Sequence, residues 1–149
     1  MNIIQVGEYI LNTKKRMQFI DITEKIKKFI KQTKAFEGQI TITTQHTTSA
    51  VIINENEKQL LKDVKNHLHE FAPIDRSYFH NDMSKRGYPI DEPENGHAHL
   101  QALLLGASQT LPIKNGQLLL GTWQRVLFIE LDGPRKNRKY SCIVIANPQ

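Results

Sequence analysis

Short segments with the two-residue periodicity of β-strands dominate this sequence, and only two longer segments have the periodicity of an amphipathic helix. The first helical segment carries Ile22, Ile26 and Phe29 at helical spacing with lysines between them, and the second runs from Glu57 to Phe71. The strand-like segments do not alternate with helices as strict βαβ units. This order predicts an α+β fold rather than a doubly wound parallel sheet. Strands are predicted over residues 39–43, 50–53, 110–113, 117–120, 125–131 and 139–146, with one or two more within residues 1–20.

Local signals mark the ends of several of these elements. Asp21 and Glu24 are spaced as a capping box for the first helix, and Gly38 is expected to end that unit. Asn115-Gly116 lies between two strand-like segments and predicts a tight β-hairpin.

A long irregular segment, residues 72–96, follows the second helix. Connections longer than about 12–15 residues in a compact domain are usually functional or disordered. Asn95 near its end is expected to cap a short helix over residues 97–105. The segment is rich in side chains of the ligand-binding kind: His80, Asn81, Asp82, Asp91, Glu92 and Glu94.

Length and composition set the broad class of the protein. The 149 residues suit a single domain, residues 1–149, and the 39% hydrophobic content argues against disorder. No apolar segment approaches the ~20 residues of a membrane helix, and no signal peptide is recognised. The single cysteine, Cys142, excludes an internal disulfide and a Cys-only zinc site. We therefore expect a cytoplasmic protein that makes no membrane contact.

The net charge of +5 permits an anionic partner without choosing one. The lysines of the first helix are expected to form a solvated face. Nucleic-acid binding would need aromatic residues interleaved with these lysines, and residues 21–34 offer only Phe29, at a core spacing. Nucleic acid is therefore disfavoured as a partner.

Four histidines, His46, His80, His97 and His99, occur in polar segments at the ends of predicted elements, where binding sites are usually built. A strand end, a loop and a helix start could bring three of them to one zinc ion. His97 and His99 diverge by about 200° if the helix has begun, so only one of the two can take part. A solvated or hydrogen-bonded histidine is the alternative at each position.

Three further groups have two open interpretations each. Glu55 either helps to charge the start of the second helix or belongs to a site. Trp123 is either a core residue or the wall of a binding site, and Gln124 beside it could hydrogen-bond a polar ring. Arg135 offers a bidentate fork for phosphate or is an exposed turn residue. The sequence contains no recognisable Ser-His-Asp spacing, P-loop or GxGxxG, which disfavours the corresponding enzyme classes.

Six motifs follow one another along the chain: His46-Thr-Thr-Ser49, Asn54-Glu55-Asn56, His80-Asn-Asp82, Asn95-Gly-His-Ala-His99, Leu119-Leu-Gly121-Thr-Trp123-Gln124 and Asp132-Gly-Pro-Arg135. Taken together, they resemble the YjbQ family over residues 3–146. The resemblance implies an α+β fold with a β-sandwich or barrel-like core and two to three inserted helices, a homotrimer, and a polar site for a metal or an anion.

The same resemblance implies a secondary thiamine-phosphate synthase, which joins a hydroxymethylpyrimidine diphosphate to a thiazole phosphate and releases pyrophosphate. It assigns a divalent metal, Zn or Mg, to His46, His80 and His99. Glu55, Asp82 and Arg135 are the implied catalytic residues. Substrate contacts are expected from Thr48, Ser49, Asn95, Thr122, Trp123, Gln124 and Arg135.

One departure from the family pattern concerns the acidic ligands. Many members have two aspartates and a proline before the histidine that matches His99, and Glu94, Asn95 and His97 stand at those positions here. Two functions therefore remain open. One is a metal-assisted enzyme acting on a small phosphorylated heterocycle, and the other is a non-catalytic module that binds a metal or an anion.

Overall fold

A computed structural model describes residues 2–87 and 93–149 of the chain. The strands are β1 (Ile3–Leu11), β2 (Gln18–Asp21), β3 (Ala35–Thr44), β4 (Ser49–Asn54), β5 (Ser108–Lys114), β6 (Gln117–Leu118), β7 (Arg125–Glu130) and β8 (Arg138–Pro148). The helices are α1 (Thr23–Thr33), α2 (Lys58–Phe71), a 3-10 turn (Phe79–Asn81), α3 (Met83–Arg86) and α4 (Gly96–Leu105). Asp91 and Glu92, which the sequence marks as ligand-type residues, lie outside the described ranges.

The strands form two antiparallel sheets. Five strands follow the order β1-β8-β3-β5-β6, and three follow the order β2-β7-β4. The predicted α+β class is confirmed, with a curled antiparallel sheet and few helices. Because all ladders are antiparallel, neighbouring strands end at opposite edges, and the end of β7 lies beside the start of β4.

The three-stranded sheet is buried on both faces. On one side, Val126 and Phe128 of β7 join a core with α1 and the inner face of the larger sheet. On the other side, Ile129 packs with Leu68 of α2 and Ala98 of α4. Strand β7 is therefore the centre of the molecule, which explains why five consecutive residues from Val126 to Glu130 are buried.

Two local expectations for α1 are wrong. The helix ends at Thr33, because Lys34 adopts the left-handed conformation that terminates helices. Gly38 lies instead inside β3, where a Cβ would collide with the backbone of β8 at Ile145 and Ala146. The capping box is not formed, since Ile22 is the N-cap and Glu24 pairs with Lys27 and Arg125, but Asp21 Oδ1 does accept from the N–H of Thr23, the first residue of α1, at 3.0 Å.

The hairpin prediction is confirmed. Strands β5 and β6 pair directly, and Asn115 and Gly116 both have positive φ, at 51° and 73°. Two successive positive φ values are typical of the turn that matches the twist of a two-residue hairpin. Within residues 2–87 and 93–149, no helix combines the length and the hydropathy needed to cross a membrane.

Candidate functional site

A cleft of about 610 Å³ opens at the edge where β3 and β7 end and where β8 and α4 begin. Six of the twelve predicted site residues line it. The lining residues are His46, Thr47, Thr48, His80, Arg86, Pro93, Asn95, His99, Asp132, Arg135, Lys136 and Arg138.

His46 lies in the short connection between β3 and β4, on the wall of the cleft formed by β8. Its Nε2 accepts a hydrogen bond from the backbone N–H of Lys139 at 2.8 Å, so the proton of the neutral ring is on Nδ1. Burial lowers the pKa of His46, and the positive charges of Arg138 and Lys139 lower it further against the opposing effect of Glu130. His46 is therefore neutral at pH 7.

His80 and His99 also line the cleft, and they contact each other. Their ring centroids are 4.4 Å apart at an interplanar angle of 65°. The 3-10 turn carries His80, and α4 carries His99 in its first turn. Burial, followed by the neighbouring His80, lowers the pKa of His99. The buried Nε2 of His80 has no hydrogen-bond partner among the described residues, so it is available to a ligand.

The turn between β7 and β8 holds Arg135 in a fixed orientation. Its Nε donates to the backbone oxygen of Asp132 at 2.9 Å, and its Nη2 donates to Asp132 Oδ2 at 2.6 Å. Asn95 Nδ2 also donates to Asp132 Oδ2, at 2.9 Å. Nη1 of Arg135 makes no hydrogen bond to any described residue, and 38% of the side chain is exposed. The guanidinium is thus held on one side and open on the other.

Thr48 supports the floor of the cleft. Its Oγ1 accepts from Arg138 Nη2 at 2.9 Å, and Arg138 in turn pairs with the buried carboxylate of Glu130. Ser49 is also buried, but its hydroxyl pairs with that of Thr44 at 2.5 Å, and it does not line the cleft. Arg138 therefore neutralises Glu130, while Arg135 faces the cleft.

The carboxylates expected to act in catalysis lie elsewhere. Asp82 accepts from Ser84 and pairs with Lys85 at the start of α3, and these contacts lower its pKa. Glu55 follows the end of β4 that is remote from the cleft. Among the described residues, no hydrogen bond joins either carboxylate to a histidine, so neither orients an imidazole in this arrangement.

Thr122, Trp123 and Gln124 are also separated from the histidines. They precede β7, whereas the cleft lies beyond the other end of that six-residue strand, roughly 20 Å away. Thr122 and Gln124 line a separate groove of about 440 Å³ beside α1, and Trp123 is 71% exposed. The structure thus places these three residues with Glu55 at the far end of the β4–β7 ladder.

The donor set for a metal is incomplete in this arrangement. Within the described ranges, no three His, Cys, Asp or Glu side chains are placed to bind one ion. His80 and His99 supply two adjacent imidazoles, and the unpartnered Nε2 of His80 fits a ligand role. The Nε2 of His46 already accepts a hydrogen bond from the backbone N–H of Lys139.

Sequence reasoning missed the residues that organise the cleft. Asp132 hydrogen-bonds Arg135 and Glu130 hydrogen-bonds Arg138, yet in the sequence each acid looks like an ordinary acidic residue near a turn. Arg86 lines the cleft from α3, and its Nη1 donates to the backbone oxygen of His80 at 3.2 Å. The one available signal was the compact Asp132-Gly-Pro-Arg135 segment, which sets a carboxylate and a guanidinium three residues apart.

The chain is similar to known proteins over nearly its full length. Residues 7–147 match the family described as UPF0047 protein YjbQ-like. A UPF0047 protein of Methanothermobacter thermautotrophicus is 41% identical over 145 residues, which cover 97% of this chain and 94% of that protein. UPF0047 protein YugU of Bacillus subtilis is 35% identical over 131 residues, covering 87% and 92% respectively.

Solved structures show the same architecture. The crystal structure of a YbjQ-like protein of unknown function from Sulfolobus solfataricus superposes with a TM-score of 0.90 at 31% identity, covering 99% of this chain and 100% of that one. A hypothetical protein from Aeropyrum pernix gives a TM-score of 0.84 at 32% identity, with coverages of 96% and 99%.

Proposed function

This chain belongs to the YjbQ-like UPF0047 family, and from the chemistry of its cleft we propose that the cleft binds a small phosphorylated molecule. The observation that carries the proposal is the geometry of Arg135. Asp132 fixes one edge of the guanidinium, Nη1 makes no hydrogen bond to any described residue, and Arg135 lines a cleft that also contains His80 and His99. A guanidinium held in this way is preorganised for phosphate oxygens.

The charges lining the cleft support an anionic ligand. Lys136 and Arg135 contribute positive charge, while Asp132 is the acidic side chain among the described lining residues. Arg138 is already matched by Glu130. The described part of the lining therefore carries a surplus of positive charge, which raises the local concentration of anions.

The reaction we propose is that of a thiamine-phosphate synthase. The bond between the methylene carbon of the pyrimidine and its diphosphate oxygen breaks, and the oxygen leaves with the electron pair as pyrophosphate. The thiazole nitrogen forms the new bond to that carbon. Arg135 would bind the leaving pyrophosphate, where negative charge grows. His80 and His99, whose rings are in contact, would donate hydrogen bonds to the same group or hold a metal.

The cofactor in this proposal is a divalent metal, Zn or Mg. The paired imidazoles of His80 and His99 would provide two ligands, and His46 would provide a third by giving up its bond to Lys139. A bound divalent ion would stabilise the charge on pyrophosphate oxygens. Neutral imidazoles bind metals, so the lowered pKa values of His46 and His99 favour binding at pH 7.

We propose a homotrimer acting in the cytoplasm. An apolar stripe on the outer face of the large sheet supports an assembled state: Ile4, Val6 and Ile10 of β1 are 60–70% exposed, and Ile4 pairs with the exposed Ile145 of β8. Strand β1 is also an edge strand. Light scattering should give three times the monomer mass of 17.2 kDa, and a monomer at micromolar concentration would contradict this assembly.

The test of the activity combines hydroxymethylpyrimidine diphosphate, thiazole phosphate and Mg²⁺ with the purified chain. Pyrophosphate and thiamine phosphate should appear in equal amounts, and Arg135→Lys and His99→Asn should abolish most of the rate. His67→Asn is the control, because His67 is exposed on α2 away from the cleft. Tight phosphate binding without turnover would leave the non-catalytic binding module as the function. Absence of both would contradict the whole proposal.

A further inference from the structure

A second cavity, of about 260 Å³, lies on the other side of the start of α4 from the histidine cleft. His97 and Gln101 line it from α4, Lys65 from α2, and Arg16 from the connection between β1 and β2. None of these four residues lines the histidine cleft, so the two cavities are distinct. The helical spacing that sends His99 to one side of α4 sends His97 and Gln101 to this one.

His97 is the first unusual feature of this cavity. Only 5% of the residue is exposed, and neither ring nitrogen has a hydrogen-bond partner among the described residues. Buried polar side-chain atoms are almost always hydrogen-bonded, so two unpartnered nitrogens on one ring require an explanation. A neutral imidazole presents one N–H donor and one acceptor nitrogen.

Gln101 is the second unusual feature of this cavity. It is 2% exposed, and its Nε2 donates to the backbone oxygens of Leu68 and Ala72 at 3.1 and 3.0 Å. These two bonds fix the amide, and its Oε1 is buried with no partner in the described chain. Gln101 therefore presents an oriented acceptor at the same cavity as His97.

The rest of the cavity changes in character from its interior to its mouth. Met17, Ile74 and Leu131 supply apolar wall, and Leu131 is 1% exposed. The cationic Arg16 is exposed and Lys65 is half-buried, so both lie toward solvent. Lys65 Nζ is held 5.9 Å from the centre of the Phe19 ring. Among the described residues, no acidic side chain lines this cavity.

We propose that this cavity binds a small organic acid: an apolar ring or chain whose carboxylate faces Arg16 and Lys65, and whose hydrogen-bond donor reaches Gln101 Oε1 and His97. Each part of that ligand matches one part of the cavity. A hydroxyl donates its hydrogen to the amide oxygen and accepts from the imidazole N–H, the apolar body covers Met17 and Leu131, and the carboxylate meets the two cations. The two cations disfavour a metal ion as the occupant.

The test uses 4-hydroxybenzoate, which carries all three parts, against two analogues that each lack one. Benzoate lacks the donor, and 4-hydroxybenzyl alcohol lacks the carboxylate. Titration of the full chain at pH 7.5 should show saturable binding of 4-hydroxybenzoate and about tenfold weaker binding of each analogue, as expected for one lost polar contact. Equal binding of benzoate would overturn the proposal, as would no saturable binding of 4-hydroxybenzoate.

Variants locate the binding. His97→Phe removes both ring nitrogens at similar volume, and Arg16→Gln removes an exposed charge without touching the core, so the second remains informative if the first fails to fold. Both substitutions should weaken the binding of 4-hydroxybenzoate by about tenfold. Lys58→Gln, at the exposed start of α2, should leave the affinity unchanged. Unchanged affinity in Arg16→Gln would overturn the proposal. If inorganic phosphate competed with 4-hydroxybenzoate, the acid would be bound in the histidine cleft, and that result would also overturn the proposal.

Discussion

Arg138 and Glu130 form a buried bidentate ion pair behind the cleft. Arg138 Nε donates to Glu130 Oε2 at 2.6 Å and Nη2 donates to Oε1 at 2.5 Å, with the residues 6% and 0% exposed. Glu130 also accepts from Thr13 Oγ1 and from the backbone N–H groups of Leu131 and Asp132. The pair therefore fixes the turn that presents Asp132 and Arg135.

The first prediction follows from that burial. Arg138→Met leaves the Glu130 carboxylate without its counter-charge, and breaking a buried pair in this way typically costs about 3–5 kcal/mol. Urea unfolding monitored by circular dichroism measures the loss. Arg76→Met is the control, because Arg76 is exposed and should change stability by less than about 0.5 kcal/mol. A loss below about 1 kcal/mol for Arg138→Met would contradict the structural role assigned to the pair.

Arg135 should determine phosphate affinity. Arg135→Lys replaces the planar fork with a single ammonium group, so the orientation fixed by Asp132 is lost and phosphate should bind about tenfold more weakly. Phosphate titration of the wild type and the variant measures this. Arg76→Lys, outside the cleft, should bind as the wild type does. Equal affinities for Arg135→Lys would make Arg135 an ordinary turn residue.

His99 should determine metal content. Removing its imidazole leaves His80 without the adjacent ring 4.4 Å away, so His99→Ala protein purified in Zn²⁺ should retain less metal by elemental analysis. His67→Ala removes an exposed histidine as the matched control and should retain the wild-type amount. If His99→Ala also keeps its metal, the ion is held elsewhere.

The sequence was sufficient to predict elements whose signals are local. Asn115-Gly116 determined a hairpin because both residues tolerate positive φ, and Glu57 begins α2 by accepting from the N–H groups of Gln59 and Leu60. The role of Gly38 was predicted wrongly, because the contact that leaves no room for a side chain there is made by β8, more than a hundred residues away in sequence. A glycine that ends a helix and one that admits a neighbouring strand look alike in one sequence.

The site was predictable only in part, because contacts between residues distant in sequence are not visible in one sequence. His46, His80, His99, Thr48, Asn95 and Arg135 line one cleft. Trp123 and Gln124 do not, because β7 separates them from Arg135 by its full length. The sequence order of motifs gives no indication of which end of a strand each will occupy. Glu130 and Arg138 look like surface charges until the strands pair and bury them together.

Gly96 should be intolerant of a side chain. A Cβ there would lie 2.7 Å from Tyr78 Cβ and 3.0 Å from Asn81 Oδ1, which accepts from the Gly96 N–H. Gly96→Ala should therefore displace the 3-10 turn that carries His80, at a cost of about 1–3 kcal/mol, and weaken phosphate binding. Gly121→Ala is the control, since its Cβ would meet only the flexible Gln124 side chain. Wild-type stability and phosphate affinity in Gly96→Ala would show that the turn adjusts freely.

Stability should fall as the pH drops below about 6.5, the ordinary histidine value in an unfolded chain. Burial lowers the pKa of His46, His97 and His99 in the folded state. Just below pH 6.5 the unfolded chain takes up protons that the folded chain does not, so unfolding becomes easier, by up to about 1.4 kcal/mol per pH unit for each proton. Well above pH 6.5 all three are neutral in both states, and their contribution is constant. Carboxyl groups of an unfolded chain titrate lower, near pH 4, so between pH 5 and 6.5 the change in stability comes mainly from the histidines.

Urea midpoints measured at pH 8, 6.5, 5.8 and 5 test this dependence. His97→Phe should make the decline shallower because it removes the most buried of the three groups. His67→Asn, on the exposed face of α2, should keep the wild-type decline. Desolvation is the leading cause of all three lowered pKa values, and it is less sensitive to salt than exposed charge pairs are. The decline should therefore persist in 0.5 M NaCl, and a decline abolished by salt would assign it to surface charges instead.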